Sequence, residues 1–300
     1  MLKEVTGITR VKMLYLQLQY RCNFVCKTCF HGELLKSTER YTTAEAVELV
    51  SHFQREYGLE AVTLLGGEPL LYPGVVEVAR FCKESGLTVE ICTNGHRGFF
   101  GTVRELAPYL DKFRVSIDGL ADVHDRIRQR GSFSSAIDAL DLAAELGLET
   151  GVTMTVTRTS IGQVVALARL LDQHRVGELK LHCLRLVGNA LRHPELEVEQ
   201  ASRYEALHEE IDTAGLRLRV VYDSDLTPQP AMAACSNLIA GDWLDRIEAD
   251  PRGGLTVSCK AVGRDANAFR FDQSLRSVVY EPHAHDEIAV SIPDVVYIGN

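Results

Sequence analysis

The sequence predicts an α/β fold in which six parallel βα units curl into a barrel or partial barrel, followed by a smaller α+β region. Two observations support this prediction. Over the first two-thirds of the chain, short apolar runs alternate with amphipathic stretches about six times, which is typical of repeated βα units. After residue 190 the pattern changes to a charged helix, a short strand and turn-rich segments. We therefore predict a barrel over residues 1–190 and a region that covers its open face over residues 191–300.

The apolar runs predict the strands of the barrel, and the amphipathic stretches between them predict its helices. The predicted strands are Leu14–Gln19, Ala61–Leu65, Leu87–Cys92, Lys112–Ile117, Gly151–Val156 and Glu178–Leu184. The predicted helices are Thr43–Glu56, Val75–Glu84, Thr102–Leu110, Ser134–Leu146 and Ile161–Gln173. Thr42 and Glu45 have the spacing of a capping box at the start of the first helix. Because the parallel strands of such a barrel end at one face, functional residues are expected at their carboxyl ends.

Fewer elements are predicted after residue 190. A charged helix is expected over about Glu195–Ala214, and the short strand LRLRVVY follows it. Arg246–Ala249 and Leu255–Ser258 are strand-like, and the segment DPRGG between them has the chemistry of a turn. These residues predict a hairpin.

Composition excludes several classes of protein. The chain has 300 residues, of which 46% are hydrophobic and 24% charged, enough to bury a core in one large domain or two. The charged start, MLKEVTGITRVK, does not have the form of a secretory signal, and no apolar run is long enough to span a membrane. A cytoplasmic protein is expected. In that reducing compartment, eight cysteines favour metal binding or catalysis over disulfide bonds.

The charge is distributed unevenly along the chain. Residues 1–190 carry 22 Lys and Arg against 22 Asp and Glu, whereas residues 191–300 carry 10 against 19. The net charge of −9 therefore comes from the last third. Nucleic acid is a poor candidate partner, since binding phosphates requires a basic surface. The acidic excess is either a solvated surface or a field that attracts a cationic substrate.

Three cysteines, Cys22, Cys26 and Cys29, follow the first predicted strand directly. Three thiolates can hold a cubane iron–sulfur cluster and leave one iron without a protein ligand, free to bind a small molecule. Zinc is the alternative, with His31 as a fourth ligand, and simple buried cysteines are a third interpretation.

Small or polar residues also follow the next three predicted strands. These residues are Gly66, Gly67, Glu68 and Pro69 after the second strand, Thr93, Asn94 and Gly95 after the third, and Ser116 and Asp118 at the end of the fourth. The segment HDRIR, which includes Arg128, comes shortly afterwards. Each group alone is more typical of a strand-to-helix turn than of a binding site. Together, at successive strand ends, they predict the lining of a site.

With these motifs, residues 12–190 resemble the radical S-adenosylmethionine (radical SAM) family. The resemblance depends on the spacing of the three cysteines and on the segment GGEP one βα unit later. It implies a partial (β/α)6 TIM-type barrel, a [4Fe-4S] cluster on Cys22, Cys26 and Cys29, and SAM chelated to the open iron. Reductive cleavage of SAM would give a 5′-deoxyadenosyl radical that abstracts hydrogen from a C–H bond. A reduced flavodoxin or ferredoxin is the implied electron donor.

The resemblance also implies roles for individual residues. Gly66, Gly67, Glu68 and Pro69 would meet the methionine amino group of SAM, Ser116 and Arg128 would hold its carboxylate, and Asn94 would lie near the nucleoside. Asp118 belongs to the same stretch as Ser116 and is counted with the cofactor-binding residues. The chain departs from the family pattern at Thr28, where an aromatic residue usually precedes the third cysteine.

The last third is expected to determine the substrate. Cys235 and Cys259 lie in segments that partly resemble the SPASM or twitch extension of radical SAM enzymes, which carries auxiliary clusters. An auxiliary cluster would need both, together with Cys183 or with His283 or His285. Alternatively, one of these thiols donates a hydrogen atom to a substrate radical, which gives epimerisation. Cys259 is the first candidate for this role and Cys235 the second. Cys82, on an amphipathic helix, is expected to be buried as a small hydrophobe.

Three functions remain open on the sequence. The first is a radical SAM enzyme acting on a cationic, aminoglycoside-like small molecule, similar to aminoglycoside epimerases of the neomycin C epimerase type. It is favoured by Asp223, Asp225, Asp242 and Asp245 and by the 21 residues that precede Cys22, which leave no room for a leader-binding domain. The second is epimerisation or crosslinking of a ribosomally made peptide. The third is a non-enzymatic zinc module.

Overall fold

A computed structural model describes residues 2–222, 239–240, 242–256 and 269–280. In this part of the chain, the barrel begins with six parallel strands. They are β1 (Arg10–Gln17), β2 (Ala61–Leu65), β3 (Thr88–Thr93), β4 (Lys112–Ser116), β5 (Glu149–Val156) and β6 (Glu178–Cys183). Each pairs with the next in chain order. The predicted α/β fold with parallel βα units is confirmed.

Helices connect these strands on the outside of the sheet. A short helix α1 (Leu2–Thr6) precedes β1, and the connecting helices are α2 (Thr43–Tyr57), α3 (Val75–Glu84), α4 (Phe100–Leu106), α5 (Ala121–Ile127), α6 (Ser132–Glu145) and α7 (Val164–Gln173). The predicted capping box is present, because Glu45 N donates to the Thr42 hydroxyl and Thr42 N donates to the Glu45 carboxylate. Among the described residues, no helix is both long enough and apolar enough to cross a membrane.

Helix boundaries differ from the predicted ones most clearly in two places. The helix expected over Thr102–Leu110 stops at Leu106, and a 3₁₀ turn (Ala107–Tyr109) follows because Pro108 cannot donate a helical hydrogen bond. The charged helix expected from Glu195 is α8 (Ala201–Thr213), which begins later because Pro194–Leu196 forms a separate 3₁₀ turn.

The strands after residue 190 extend the same sheet at both edges. Strand β7 (Arg219–Tyr222) pairs in parallel with β6, while β9 (Trp243–Ala249) pairs in parallel with β1 at the opposite edge. Strand β8 (Ile239–Ala240) and strand β10 (Gly254–Thr256) both pair antiparallel with β9. The predicted hairpin is therefore confirmed as far as Thr256, and residues 257 and 258 of its predicted second strand lie outside the described residues. The sheet ends with β11 (Phe269–Asp272) and β12 (Ser277–Tyr280), and the domain boundary at residue 190 stays a prediction.

The two faces of the sheet differ in chemistry because side chains alternate along each strand. The face toward the helices is apolar, and its side chains are fully buried in the main core; examples are Leu14, Val62, Ile91, Val115, Val152 and Leu181. On β3, β4 and β6 the interior face carries charged side chains instead, among them Glu90, Arg114 and Glu178. A solvated or ligand-binding interior is the usual reason for this arrangement in a barrel.

Charged residues form what we call the ionic row at the amino-terminal end of the interior. Arg114 pairs with Glu90 and Glu178, and Lys112 Nζ lies 3.2 Å from Glu178. Burial raises the pKa of Glu178, but Arg114 and Lys112 outweigh it and lower this pKa to about 2. The carboxylates of the ionic row are thus satisfied by neighbouring cations.

Candidate active site

The three cysteines lie on one loop, residues 18–31, which we call the cysteine loop. It follows β1 at the carboxyl end of the strand, as predicted. Cys26 is buried with 8% of its surface exposed, while Cys22 and Cys29 are half-buried. Val25 and Phe30 on the same loop are exposed. The loop therefore presents its thiols at the face where the parallel strands end.

The glycines of GGEP bring the end of β2 against the cysteine loop. A Cβ on Gly66, whose φ is +153°, would lie 2.6 Å from the Gln19 carbonyl oxygen, and one on Gly67 would lie 2.2 Å from that of Tyr20. Gly67 N donates to Gln19 O at 2.8 Å. The close approach that requires glycine is therefore between two backbone segments of the chain itself.

Glu68 connects the ends of β2 and β3 although it is only 1% exposed. Its carboxylate accepts hydrogen bonds from Leu70 N at 3.0 Å, from the Thr93 hydroxyl at 2.7 Å and from Asn94 N at 2.8 Å. Burial raises the pKa of Glu68 to about 7, against the opposing effect of these bonds. Pro69 begins the buried 3₁₀ turn that follows. The Glu68 side chain thus holds the end of β3 against the end of β2.

Asn94 links β3 to the cysteine loop. Its Nδ2 donates to Asn23 Oδ1 at 2.8 Å and lies 3.9 Å from Cys22 Sγ, while its Oδ1 accepts from His96 N at 3.0 Å. The Asn94 side chain is 6% exposed. This amide therefore positions the segment that carries the first cysteine.

Asp118 and Arg128 form a buried ion pair behind the second cysteine. Arg128 Nε donates to Asp118 Oδ2 at 2.7 Å, and Asp118 Oδ1 accepts from Thr155 N at 2.9 Å. Burial opposes the charge on Arg128, but the Asp118 carboxylate outweighs it and raises the pKa of the guanidinium. The positive charge of Arg128 also acts on Cys26, because it lowers the pKa of that thiol against the effect of burial.

Residues after β6, whose role the sequence analysis did not predict, complete the support of the cysteine loop. Asn189 N donates to Cys29 O at 2.8 Å, and Asn189 Nδ2 donates to Cys26 O at 3.0 Å. A Cβ on Gly188, whose φ is +59°, would lie 2.3 Å from Phe30 O. The sequence feature that could have indicated this role is the Gly-Asn pair shortly after β6. Its partners, however, lie about 160 residues away in sequence.

The thiols are neutral in the chain without metal. Burial raises the pKa of Cys22 to about 12 and that of Cys26 to about 11, and it also raises the pKa of Cys29. Ligation by metal deprotonates a thiol outright. Metal binding at this loop therefore competes with protons.

His31 is committed to another contact. Its Nε2 lies 3.3 Å from the Gly66 carbonyl oxygen, its ring packs against Tyr20 and Phe30, and burial lowers its pKa to about 4. Within the described ranges, no three His, Cys, Asp or Glu side chains converge as the ligands of one metal ion. Three cysteines at this spacing fit a cubane cluster, in which each cysteine binds a different iron.

The remaining residues singled out in the sequence lie in several places. Ser116 lies at the end of β4, with its Oγ 3.7 Å from Cys92 Sγ. Cys82 is fully buried, as expected. Cys183 Sγ lies 3.3 Å from the Tyr204 hydroxyl. The remaining candidates of the last third lie outside the described residues; they are Cys235, Cys259, Asp223, Asp225, His283 and His285.

The fold and the cysteine loop agree with a comparison to known families. The family model of the radical SAM superfamily matches residues 16–171, and the chain belongs to this superfamily. Its members use a [4Fe-4S] cluster and SAM. The predicted cofactors are those of the family, and the antiparallel strands after residue 242 fit a SPASM-like extension.

Curated relatives resemble about half of the chain. Fe-coproporphyrin III synthase of Methanosarcina barkeri is 25% identical over 173 residues, which are 56% of this chain and 43% of the relative. Mycofactocin maturase MftC of Mycobacterium ulcerans is 28% identical over 161 residues, which are 53% of this chain and 43% of the relative. The chain thus spans about half the length of the curated relatives that it matches.

A similar fold occurs in the crystal structures of Streptococcus suis SuiB. The structure with bound S-adenosylmethionine has a TM-score of 0.70 at 15% identity and covers 84% of this chain and 61% of SuiB. A second SuiB structure, bound to the precursor peptide SuiA, has the same TM-score, identity and coverage. At this identity the likeness concerns the fold alone.

Proposed function

We propose that this protein binds a [4Fe-4S] cluster on the cysteine loop, cleaves SAM reductively and abstracts a hydrogen atom from a C–H bond of its substrate. The observation that carries the proposal is the convergence of the three cysteines with GGEP, Asn94 and the Asp118–Arg128 pair at the carboxyl ends of β1–β4. Membership of the radical SAM superfamily supports it. When bound, cluster and SAM supply a 5′-deoxyadenosyl radical that can attack an unactivated C–H bond.

The chain's own residues would bind the cluster and hold its ligands in place. Cys22, Cys26 and Cys29 provide three thiolates, and Asn94 and Asn189 hold the loop that carries them. Each support reaches a different part of the loop, which fixes the thiols from several sides at once. Rigid support of this kind is what a site needs if a reactive species is to meet one bond of the substrate.

Some residues of the site are proposed to contact SAM directly, and others to position those residues. Gly66, Gly67 and Pro69 would offer backbone to the amino group, and Ser116 and Arg128 would bind the carboxylate. Asn94 would lie near the nucleoside. The carboxylates of Glu68 and Asp118 are occupied within the chain, so we assign them the positioning of Asn94 and Arg128.

For the outcome of the reaction, epimerisation with Cys259 or Cys235 as hydrogen donor stays a prediction. A peptide substrate is the second candidate, because SuiB, which has a similar fold, is named as binding a precursor peptide. Synthesis of a small molecule also has support from relatives, since Fe-coproporphyrin III synthase is a synthase by name. An auxiliary cluster on the late cysteines is a further proposal.

The prediction of a cationic substrate gains no support from the described aspartates. Asp242 accepts a hydrogen bond from the Thr9 hydroxyl, and both Asp242 and Asp245 lie at the amino-terminal end of β9. Strand β9 is parallel to β1, so these carboxylates are at the face opposite the cysteine loop.

Anaerobic reconstitution tests the proposal. We expect the chain to bind about four irons with sulfide, and to release 5′-deoxyadenosine from SAM when reduced. The variant Cys26→Ala should lose both properties, whereas Cys82→Ala, which removes a thiol buried in the core, should keep them. Zinc without iron and sulfide in anaerobically purified protein, or a reduced cluster that never yields 5′-deoxyadenosine, would contradict the proposal.

The proposed auxiliary cluster and the predicted hydrogen donor are tested by separate measurements. A double variant of Cys235 and Cys259 to Ala that lowers the iron content from about eight to about four would establish an auxiliary cluster. If both proteins hold about four, the two thiols are free for hydrogen donation. Epimerisation in deuterated water should then place solvent deuterium on the product carbon.

A further inference from the structure

The interior of the barrel contains a row of polar side chains directly above the ionic row. Cys92, Ser116, Thr153 and Lys180 occupy it, one each on β3, β4, β5 and β6, and we call it the chamber row. Ser116 is in register with Thr153, and Thr153 with Lys180. Cys92 Sγ and Ser116 Oγ are 3.7 Å apart. The row thus crosses four neighbouring strands.

The side chains of the chamber row face the interior. Lys180 and Thr153 are two residues beyond Glu178 and Gly151, so each shares the face of that residue. Glu178 contacts Arg114 inside the barrel, and a Cβ on Gly151 would lie 3.2 Å from a guanidinium nitrogen of Arg114. The intervening residues Val152 and Leu179 are fully buried against the helices. Ser116, Thr153 and Lys180 therefore lie between the ionic row and the carboxyl-end site, while Cys92 is in register with Arg114 and contacts Ser116.

Lys180 differs from the cations of the ionic row. Its side chain is half-buried, and none of the described residues forms a hydrogen bond or an ion pair with it. Lys112 and Arg114, by contrast, are both paired with Glu178. Glu178 is engaged by these two residues and by Arg219. The carboxylate nearest to Lys180 along its own strand is therefore already used.

Lys180 is half-buried, yet its ammonium group gains no opposing charge from the described residues. A lysine on the interior face of the barrel that no carboxylate pairs is available to bind an anion. The Thr153 hydroxyl, in register with Lys180, likewise has no hydrogen-bond partner among the described residues. An ammonium and a hydroxyl on adjacent strands are suitable donors for one anionic group.

We infer that the chamber row binds an anionic group of the substrate, a carboxylate or a phosphate, through Lys180 with Thr153 beside it. The inference rests on the proposed function in one respect, that the substrate enters the barrel from the cysteine-loop side. It defines the charge of one part of the substrate. A zwitterionic molecule or a peptide with a carboxylate has the anionic group that this site requires, whereas a purely cationic molecule does not.

Anion binding can be measured without turnover. The reconstituted protein is saturated with SAM, left unreduced, and titrated with inorganic phosphate or with acetate at constant ionic strength, while the midpoint of thermal unfolding is followed. Saturable stabilisation gives the affinity of each anion. We expect Lys180→Met to bind at least one anion about tenfold more weakly, and Lys180→Arg to keep most of the affinity. Lys3→Met, on α1 at the other face, is the matched control and should bind as the wild type does.

The two anions distinguish the source of the charge. Preference for phosphate indicates a phosphorylated substrate, and preference for acetate indicates a carboxylate. If neither anion stabilises the wild type more than Lys180→Met, the inference is wrong. It is also wrong if Lys180→Met weakens the binding of SAM itself, because Lys180 would then hold the carboxylate of the cofactor.

Stability without added anions gives a second readout. If Lys180 has no structural partner, Lys180→Met should leave the unfolding midpoint unchanged or raise it. A lowered midpoint would show that the ammonium stabilises the fold, and would overturn the inference. The two failures can be told apart: anion binding at Lys180 in a protein that yields no 5′-deoxyadenosine would contradict the proposed function alone.

Discussion

Asn94 Nδ2 donates a hydrogen bond to Asn23 Oδ1 at 2.8 Å and thereby joins the end of β3 to the loop that carries the three cysteines. Asn94 is itself held by Glu68, whose carboxylate accepts from its backbone N–H. The carboxyl ends of β2 and β3 are thus connected to the cysteine loop through a short chain of hydrogen bonds. Cluster binding should depend on residues that are not themselves ligands.

Removing the acceptor from this link should weaken cluster binding. Asn23→Ala leaves Asn94 Nδ2 without its partner, at a cost of about 1–3 kcal/mol to the loop conformation that presents Cys22. We expect less iron per chain after anaerobic reconstitution, with unchanged far-ultraviolet circular dichroism. Asn23→Asp keeps an acceptor at the same place and is the matched control. Equal iron content in Asn23→Ala and Asn23→Asp would show that the bond is dispensable.

A methyl group on Gly67 should displace the cysteine loop. Its Cβ would lie 2.2 Å from Tyr20 O and 2.4 Å from Arg21 O, and both contacts are with backbone that cannot move aside alone. Gly67→Ala should therefore lower the free energy of unfolding by about 2 kcal/mol or more. It should also prevent cluster assembly.

Gly101→Ala provides the comparison for Gly67→Ala. Gly101 lies in α4, and its Cβ would have no atom within 4 Å. The higher helix propensity of alanine should stabilise the protein by about 0.5–1 kcal/mol. Chemical unfolding of the metal-free proteins measures both changes. Similar effects of the two substitutions would refute the close approach at Gly67.

Breaking the Asp118–Arg128 pair should destabilise the fold strongly. Asp118 is fully buried, and Arg128→Met would leave its carboxylate without a counterion, at a cost of about 3–5 kcal/mol. Adding Asp118→Asn should recover part of this loss, since the unpaired charge is then gone. Urea unfolding of the metal-free protein measures both.

An exposed pair on the same segment supplies the control for Arg128. Arg126 and Asp122 are one helical turn apart on α5, and both side chains are 62% exposed. Arg126→Met should change the free energy of unfolding by no more than about 0.5 kcal/mol. Equal losses in Arg126→Met and Arg128→Met would mean that the Arg128 contact does not stabilise the site.

Glu68 should make stability depend on pH. Its pKa in the folded protein is about 7, above the ordinary value of 4.5, so the folded state retains the proton over this interval and the unfolded state does not. Its contribution is fully present below about pH 4.5 and is lost as the pH rises through 7, with a total on the order of 3 kcal/mol.

The comparison variant for that measurement is Glu68→Gln, which does not titrate between pH 4.5 and 7. It should be less stable than the wild type at neutral pH, because its amide NH2 would face the N–H of Leu70 or Asn94. The difference in unfolding free energy between the two proteins should change over this interval. Curves that run parallel would show that Glu68 has an ordinary pKa.

The order and type of the barrel elements followed from local patterns. Ala61–Leu65 and Val75–Glu84 have the predicted boundaries, because apolar periodicity and capping act over a few residues. Differences occur where a local interruption matters, as at Pro108 after α4. The cysteine motif could also be recognised in the sequence, since its three ligands lie within eight positions of one loop.

The long-range partners had no such local signal. The sequence did not reveal that β9 pairs with β1, since that contact joins residues more than 200 positions apart. The same holds for Asn189, which supports two cysteines from after the last barrel strand. A strand or a turn has the same local pattern whichever neighbour it meets, so pairing of this kind requires the folded chain.

By itself, the sequence determined the class of fold, the presence of the three-cysteine loop and the family to which these motifs belong. The tertiary structure alone decided which side chains are already satisfied and which are not. Glu68, Asp118 and Arg128 have partners within the chain, while Lys180, two residues from a fully paired glutamate, has none among the described residues. The physical reason is that hydrogen bonding and ion pairing depend on distances between strands, which residue order does not specify.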